Sequence, residues 1–224
     1  MRTDSIVAAV ISDDDNRKAI DHINVFLPER IKYDDICSEI RQELLRMGVK
    51  TDVVSQDADW SSYKVLIAPM MYLLQDETSV KIKSFVAKGG TILATYFMGY
   101  EKKNQSECWD EMQEKDLAEV FGFLRKGADI FDASECNGII WSNGARIRTQ
   151  VRDYAEILEV QDAEVLAVFE DDYYAGCAAI TKKCYGQGKA YYVAGKIAAC
   201  DLWSFFERIF TEAGIVTSYL EENI

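Results

Sequence analysis

The 224-residue chain carries 38 acidic and 25 basic side chains, so its formal net charge is −13. Because nucleic-acid-binding proteins place clustered Lys and Arg against phosphates, this balance argues against a nucleic-acid partner. Hydrophobic residues make up 49% of the chain and charged residues 28%, which is typical of a globular protein with a sizeable core. No apolar run approaches the roughly 20 residues that span a bilayer, and the N-terminus lacks the long apolar stretch of a secretory signal. We therefore expect no membrane partner.

The six cysteines show no Cys-x-x-Cys spacing, and several fall in expected helices or strands. In such positions cysteine behaves as a small buried apolar residue. We therefore expect reduced thiols and a cytoplasmic location. His22 is the single histidine, and no paired ligand spacing accompanies it, so the sequence predicts neither a metal site nor a cofactor.

The first half of the chain repeats a strand–helix–strand pattern. Residues 6–11 form a wholly apolar strand, residues 12–16 a polar loop, and residues 17–30 a long loop or a short helix. Apolar residues at three- and four-residue spacing predict an amphipathic helix over 33–47, and a short strand follows at 51–54.

The most clearly patterned stretch comes next. Residues 65–68 are a continuous apolar run that ends at Pro69, which indicates a strand buried on both faces. A helix with a buried face over 80–86 ends at the glycine pair 89–90, and residues 91–96 form another buried strand. These elements form one βαβ unit, with the expected right-handed crossover.

The second half has a different period. A helix is predicted over 115–123, and the pattern from 130 to 192 has a period near two, which favours antiparallel or mixed strands. Residues 201–213 form the last amphipathic helix, and residues 216–220 a final strand or a linker.

The element order predicts a three-layer α/β fold, with a mostly parallel sheet flanked by helices and added antiparallel strands in the second half. This architecture is flavodoxin-like or glutamine amidotransferase-like. We expect one domain over 1–224. It would comprise a parallel core at about 5–125, a β-rich extension with a closing helix at about 126–216, and a linker at 217–224.

Open α/β sheets bind ligands at the carboxyl ends of their strands, so the loops there are the first candidates for a site. The acidic loop Asp13–Asn16 would repel a phosphate, but it could hold magnesium or simply face solvent. A receiver domain needs an aspartate at the end of the third strand, where this chain has an alanine followed by Pro69. An amidotransferase needs a cysteine on the turn at 95–100, and none is present.

Carboxylates near the later strand ends offer a further alternative. Glu170 and its two acidic neighbours could act on a sugar, or form an exposed turn. The aromatic residues Trp141, Tyr173 and Tyr174 could stack on a sugar, or serve as ordinary core or interface residues.

Five segments together resemble a known domain. They are WSSYKVLIAPMMYLL at 60–74, FVAKGGTILATY at 85–96, DDYYAGCAAIT at 171–181, YGQGKAYYV at 185–193 and EAGI at 212–215. In this order they are similar to the middle, or trimerisation, domain of family 42 glycoside hydrolases, which are β-galactosidases.

The resemblance implies a non-catalytic oligomerisation domain. Three such domains associate in the family, and each helps to wall the neighbouring subunit's active site. Catalysis belongs to a separate (β/α)8 barrel of about 250 residues, which supplies the two glutamates that hydrolyse terminal β-D-galactosides. The resemblance therefore implies a homotrimer, a barrel as partner in the parent chain, and no catalytic residue in this chain. The alternative is a free-standing amidotransferase-like domain that binds a small ligand or a sugar without catalysis.

Several large aromatic residues are candidates for an interface or a sugar-facing surface, because a core stripe and an interface stripe look alike in sequence. They are Trp141, Tyr173, Tyr174, Trp203, Phe206 and Phe210.

Overall fold

The computed structural model describes residues 7–23, 28, 31–75, 77–102, 117–142 and 149–217. The helices are α1 (Asp14–Ile23), α2 (Tyr33–Arg46), α3 (Thr78–Ala87) and α4 (Trp203–Glu212), with a helical segment at 117–121 and a 3-10 turn at Ala199–Leu202. The strands are β1 (Ala8–Ile11), β2 (Thr51–Val54), β3 (Val65–Ala68), β4 (Leu73–Leu74), β5 (Thr91–Thr95), β6 (Glu101–Lys102), β7 (Phe123–Ile130), β8 (Asn137–Trp141), β9 (Gln150–Val160), β10 (Glu164–Phe169), β11 (Ala178–Tyr185), β12 (Gly188–Val193) and β13 (Gly195–Ile197).

Eleven of the described strands form one sheet, in the order β13-β9-β8-β10-β11-β12-β5-β3-β1-β2, with β7 also paired to β9. From β2 through β1, β3 and β5 to β12, neighbouring strands in the sheet are parallel. From β12 through β11, β10 and β8 to β9, neighbouring strands are antiparallel. The short strands β4 and β6 form a separate parallel pair. The predicted fold class, a mostly parallel α/β core with added antiparallel strands, is confirmed.

The central strands are buried because helices cover the sheet. Every residue of β1, β3 and β5 is buried, which explains why these strands are apolar without alternation. Helix α3 contacts β5 and β12, and α2 contacts β2 and the 3-10 turn. Helix α4 buries Phe205, Phe206, Ile209 and Phe210 on one side. No helix in the described ranges is long and apolar enough to cross a membrane.

In the region after β1, the prediction of a polar loop over 12–16 is wrong at residues 14–16, whereas the short-helix alternative for 17–30 is confirmed over 17–23. Helix α1 begins at Asp14, directly after Asp13, and continues to Ile23. Asp14 and Asp15 lie in its first turn, where negative charge is favoured by the helix dipole. Only Asn16 and Ile20 are buried along α1, so the apolar periodicity was too sparse to distinguish a helix from a loop.

The region from 115 to 123 also differs from the prediction. The helical segment ends at Phe121, and Gly122 then adopts a φ of 76°, a left-handed conformation that glycine reaches without strain. Phe123 begins β7 instead of ending a helix, and β7 spans the expected division near 125. Residues 215–217 have no regular structure, and the rest of the strand or linker predicted at 216–220 lies outside the described residues.

Candidate functional site

The carboxyl ends of β1, β3 and β5 meet at one edge of the sheet, where ligands of open α/β folds bind. The loops at this edge carry polar side chains after β1 and aromatic side chains after β3 and β5.

Asp13 is buried and directly precedes α1. Its Oδ1 accepts the main-chain N–H groups of Asp15 at 3.0 Å and Asn16 at 3.2 Å. Its Oδ2 accepts the main-chain N–H of Gln56 at 3.5 Å and the side-chain amide of Gln75 at 3.3 Å. The carboxylate therefore caps the helix and fixes two neighbouring loops, so the interpretation of Asp13 as part of a solvated loop is wrong.

Asn16 and Gln56 tie the loop after β3 to the body of the protein. Asn16 donates to the Met70 carbonyl at 2.9 Å and accepts the N–H of Leu73 at 2.8 Å. Gln56 donates to the Leu73 carbonyl at 2.8 Å and accepts the Thr78 hydroxyl at 3.0 Å. Because these buried amides bond to the protein itself, they act as structural anchors.

The acidic residues around β1 do not converge on a common point. Asp13 faces inward, Asp14 pairs with Arg17, and Asp15 lies 3.7 Å from Lys18. Within the described ranges, no group of three His, Cys, Asp or Glu side chains is placed to hold a metal ion. These carboxylates serve helix capping and surface pairing.

The turn after β5 has the geometry of a strained strand-to-turn junction. Phe97 adopts a φ of 67°, in the left-handed region, and its N–H donates to Glu156 Oε1 at 2.9 Å. In hydrolases with a nucleophile elbow, a comparable strained turn presents a serine or a cysteine. Here the residue is phenylalanine, which has no nucleophilic atom.

Four aromatic rings pack around this turn, and we call them the aromatic cluster: Tyr72, Phe97, Tyr100 and Tyr154. Tyr72 stacks on Tyr100 with ring centroids 5.7 Å apart, and Phe97 lies 4.1 Å from Tyr154. The hydroxyl groups of Tyr100 and Tyr154 are 2.8 Å apart. Tyr72 and Tyr100 are half-buried, so the cluster offers aromatic surface at the edge of the sheet.

A buried ion pair lies beneath the cluster. Arg125 Nε is 3.3 Å from Glu156 Oε1, and the guanidinium lies 4.0 Å over the ring of Tyr100. Arg125 also donates to the Met98 carbonyl at 2.6 Å, and Tyr192 donates to Glu156 Oε2 at 2.6 Å. These contacts join β7, β9 and β12 to the turn after β5.

The phenols beside the ion pair stay protonated. Burial and the neighbouring Glu156 carboxylate raise the pKa of Tyr100, Tyr154 and Tyr192 above the ordinary value of a phenol. Burial alone would lower the pKa of Arg125, but the charge of Glu156 reverses this and leaves it raised. None of these groups is suited to act as a base at neutral pH.

A small cavity lies behind the turn, at the carboxyl ends of β5 and β12. Its volume is about 30 Å³, and Tyr96, Glu39, Lys196 and Phe206 are among its lining residues. The Tyr96 hydroxyl is buried and has no hydrogen-bond partner among the described residues. Burial raises its pKa. The volume suits water and is far below the roughly 300 Å³ of an ordinary ligand pocket.

The structure separates the two tyrosines predicted for an interface or sugar surface. Tyr173 is 75% exposed, whereas Tyr174 is buried beneath it, with ring centroids 5.0 Å apart. The Tyr174 hydroxyl donates to Asp129 at 3.0 Å, and its ring packs against Phe169. Tyr173 therefore offers a surface, and Tyr174 supports it.

The other predicted aromatics belong to the packing around α4. Phe206 and Phe210 lie in the core of the single chain, so they offer no surface to another copy. Trp141 is half-buried, and its ring centroid is 5.9 Å from that of Phe205. Trp203 is half-buried at the start of α4. The structure does not bring these residues together with Tyr173.

Sequence reasoning missed the buried pair of Arg125 and Glu156. The two residues are distant in sequence, and each sits in a strand of otherwise mixed pattern. The single local signal is that Glu156 follows Tyr154 and Ala155 within a largely buried strand, a setting in which a carboxylate requires a partner.

Comparison with known proteins gives a consistent result. A family model described as the beta-galactosidase trimerisation domain matches residues 7–216. Beta-galactosidase GalA of Bacillus licheniformis is 30% identical over 212 residues, covering 92% of this chain and 30% of that protein. Beta-galactosidase BglY of Alicyclobacillus acidocaldarius is 30% identical over 232 residues, covering 96% of this chain and 32% of that protein.

Solved structures agree in fold. A GH42 beta-galactosidase from G. stearothermophilus has a TM-score of 0.85 at 28% identity, over 94% of this chain and 30% of that one. The beta-galactosidase from Bacillus circulans sp. alkalophilus has a TM-score of 0.86 at 28% identity, over 93% of this chain and 31% of that one. The chain thus spans about 30% of the length of the relatives it matches. Since the family model covers nearly all of it, this chain belongs to the beta-galactosidase trimerisation domain family.

Proposed function

We propose that this chain is a non-catalytic assembly domain of a β-galactosidase-type glycoside hydrolase and that it forms homotrimers. The observation that carries the proposal is the match of residues 7–216 to the trimerisation domain. The parent enzyme would hydrolyse terminal β-D-galactosides in a separate (β/α)8 barrel, which would be the partner of this domain within the longer chain.

The chemistry at the sheet edge supports a non-catalytic role. The turn after β5 carries Phe97 where a nucleophile would stand, and the amides of Asn16 and Gln56 bond to the protein itself. At the carboxyl edge of the sheet the cavity beside Tyr96 measures about 30 Å³, so this edge does not support the alternative of a small-ligand or sugar-binding domain.

We infer that the loops after β3 and β5 help to wall the active site of a neighbouring subunit. Tyr72 and Tyr100 expose part of their rings at this edge, and aromatic rings are suited to pack against a sugar face. The ion pair of Arg125 and Glu156 holds them from below.

We also propose a cytoplasmic location. The five described cysteines, Cys37, Cys136, Cys177, Cys184 and Cys200, are unpaired, as is usual in a reducing compartment.

The mass of the purified chain in solution tests the assembly role. Light scattering over a concentration series should give three times the 25.4 kDa of one chain. A stable monomer at every concentration would contradict assembly by this chain. In parallel, the purified chain should not hydrolyse a chromogenic β-galactoside. If it did, and a substitution within this chain abolished the hydrolysis, the non-catalytic role would be contradicted.

A further inference from the structure

We propose that copies of this chain associate head to tail, with the turn at 171–173 of one copy seated in the groove between α2 and β2 of the next. This inference rests on the proposed assembly function and adds to it the two surfaces that meet. We call these surfaces the acidic turn (Asp171, Asp172 and Tyr173) and the α2 groove (Arg41, Leu45 and Lys50).

The acidic turn presents the exposed side chain of Tyr173, and hydrogen bonds hold the main chain of the turn in place. Asp171 exchanges two hydrogen bonds with Asn137, one from its N–H at 2.9 Å and one to its carbonyl at 2.8 Å. Asp172 has a φ of 75°, and its carboxylate accepts the N–H of Tyr173 at 2.8 Å. An exposed tyrosine that is already held in place loses little freedom on binding, as in the energetically dominant residues of interfaces.

The α2 groove has the opposite character. It has a volume of about 370 Å³, and the lining residues that the structure describes include Arg41, Leu45 and Lys50 and no acidic side chain. Leu45 is 56% exposed, and Val53 on the adjacent strand β2 is 47% exposed. A positively charged groove with exposed aliphatic side chains complements a tyrosine flanked by two carboxylates.

The net charge of the chain favours a contact with this complementarity. At −13, net repulsion opposes contact between two copies, and pairing a basic patch of one with an acidic patch of the other offsets it. A second basic groove exists, lined by Lys64, Lys81 and Lys88, but Asp59 also lines it. Its aromatic lining residues are Trp60, which is buried, and Tyr63 and Phe85, which are half-buried, whereas Leu45 of the α2 groove is 56% exposed.

The positions of the two surfaces suit head-to-tail contact. Strand β2, beside the groove, is the edge strand at one end of the sheet. The acidic turn follows β10 and is bonded to Asn137 of β8, and these two strands lie nearer the opposite end. In a two-fold contact each turn would have to sit in the other copy's groove, which requires both surfaces to lie on one face; their separation along the sheet order favours a head-to-tail contact instead. A head-to-tail contact pairs unlike surfaces and gives a closed ring when the rotation between copies closes.

Charge reversal tests the contact. Arg41→Glu alters the groove, and Asp171→Lys alters the turn while leaving its two main-chain bonds to Asn137 in place. Each single variant should raise the dissociation constant of the assembly at least about tenfold, measured by light scattering on dilution. The double variant Arg41→Glu with Asp171→Lys should recover most of the loss, because every contact then pairs the two reversed charges.

Lys88→Glu is the matched control, because it makes the same charge change at the other groove and should assemble like the wild type. Far-UV circular dichroism and the thermal midpoint should stay unchanged in every variant, because all of these side chains are exposed. If the wild type forms trimers and the dissociation constants of Arg41→Glu and Asp171→Lys equal that of the wild type, the proposed contact is wrong and the assembly function stands. A wild-type monomer at all concentrations would overturn both, and masses growing beyond a trimer would overturn the closed ring.

Discussion

Arg125 and Glu156 form an ion pair inside the protein, with Arg125 Nε 3.3 Å from Glu156 Oε1. The Arg125 side chain is 12% exposed and that of Glu156 is fully buried. The same carboxylate accepts the N–H of Phe97 and the hydroxyl of Tyr192. One carboxylate thus connects the β-rich half of the chain to the strained turn after β5.

Removing one partner of this pair should be strongly destabilising. Arg125→Met or Glu156→Leu leaves the other charge buried without its counterion, and each should lower the free energy of unfolding by about 3–5 kcal/mol. The double variant should cost clearly less than the sum of the two, because no unpaired charge remains. Urea unfolding at pH 7 measures all three, and additive losses would show that the two charges are not coupled.

Much of the scaffold could be predicted from sequence because its signals are local. The apolar runs of β1, β3 and β5 and the helical spacing of α2 identify themselves without tertiary information. The start of helix α1 was missed because it depends on Asp13, whose role as a cap is shared with loops far along the chain.

The candidate site was less predictable because its contacts are long-range. Tyr173 and Tyr174 are adjacent in sequence, yet one is exposed and the other is bonded to Asp129 beneath it. Only the pairing of distant strands decides which ring faces outward. The same holds for Arg125, whose partner lies on another strand.

Replacing Asp13 should be far more costly than replacing Asp14, although the two are neighbours. Asp13→Ala removes the cap of α1 and leaves the bonded N–H groups of Gln56 and Asn16 without their acceptor. We expect a loss of about 2 kcal/mol in the free energy of unfolding. Asp14→Ala removes one exposed pair with Arg17 and should change it by less than about 0.5 kcal/mol. Equal losses in urea unfolding would refute the structural role of Asp13.

The Tyr96 hydroxyl should contribute nothing to stability. It is buried without a partner among the described residues, so Tyr96→Phe should leave the free energy of unfolding unchanged or raise it by up to about 1 kcal/mol. Tyr192→Phe is the matched control, because it loses a bond to a buried carboxylate and should cost about 1.5–3 kcal/mol. If both variants lost stability equally, Tyr96 would have to bind an ordered water in its cavity.

Glu212, at the end of α4, should make stability depend on pH. Its Oε2 accepts hydrogen bonds from Lys182 at 2.9 Å, Lys189 at 2.8 Å and Tyr191 at 2.8 Å. Its Oε1 accepts one from Arg208 at 2.9 Å. Burial alone would raise the pKa of Glu212, but these donors outweigh it and hold the pKa well below its usual range.

Because the pKa of Glu212 is lower in the folded state, the unfolded chain takes up this proton first as pH falls. The stabilisation is therefore complete above the unfolded pKa of about 4.3 and is lost as pH falls towards the folded pKa. Glu212→Gln should be less stable than the wild type at pH 7, and the difference should shrink between about pH 5 and pH 3. Asp21→Asn, at an exposed position of α1, is the matched control for the loss of one carboxylate. Urea midpoints across this range provide the measurement, and a Glu212→Gln difference that stays constant would show that the carboxylate is not held by its four donors.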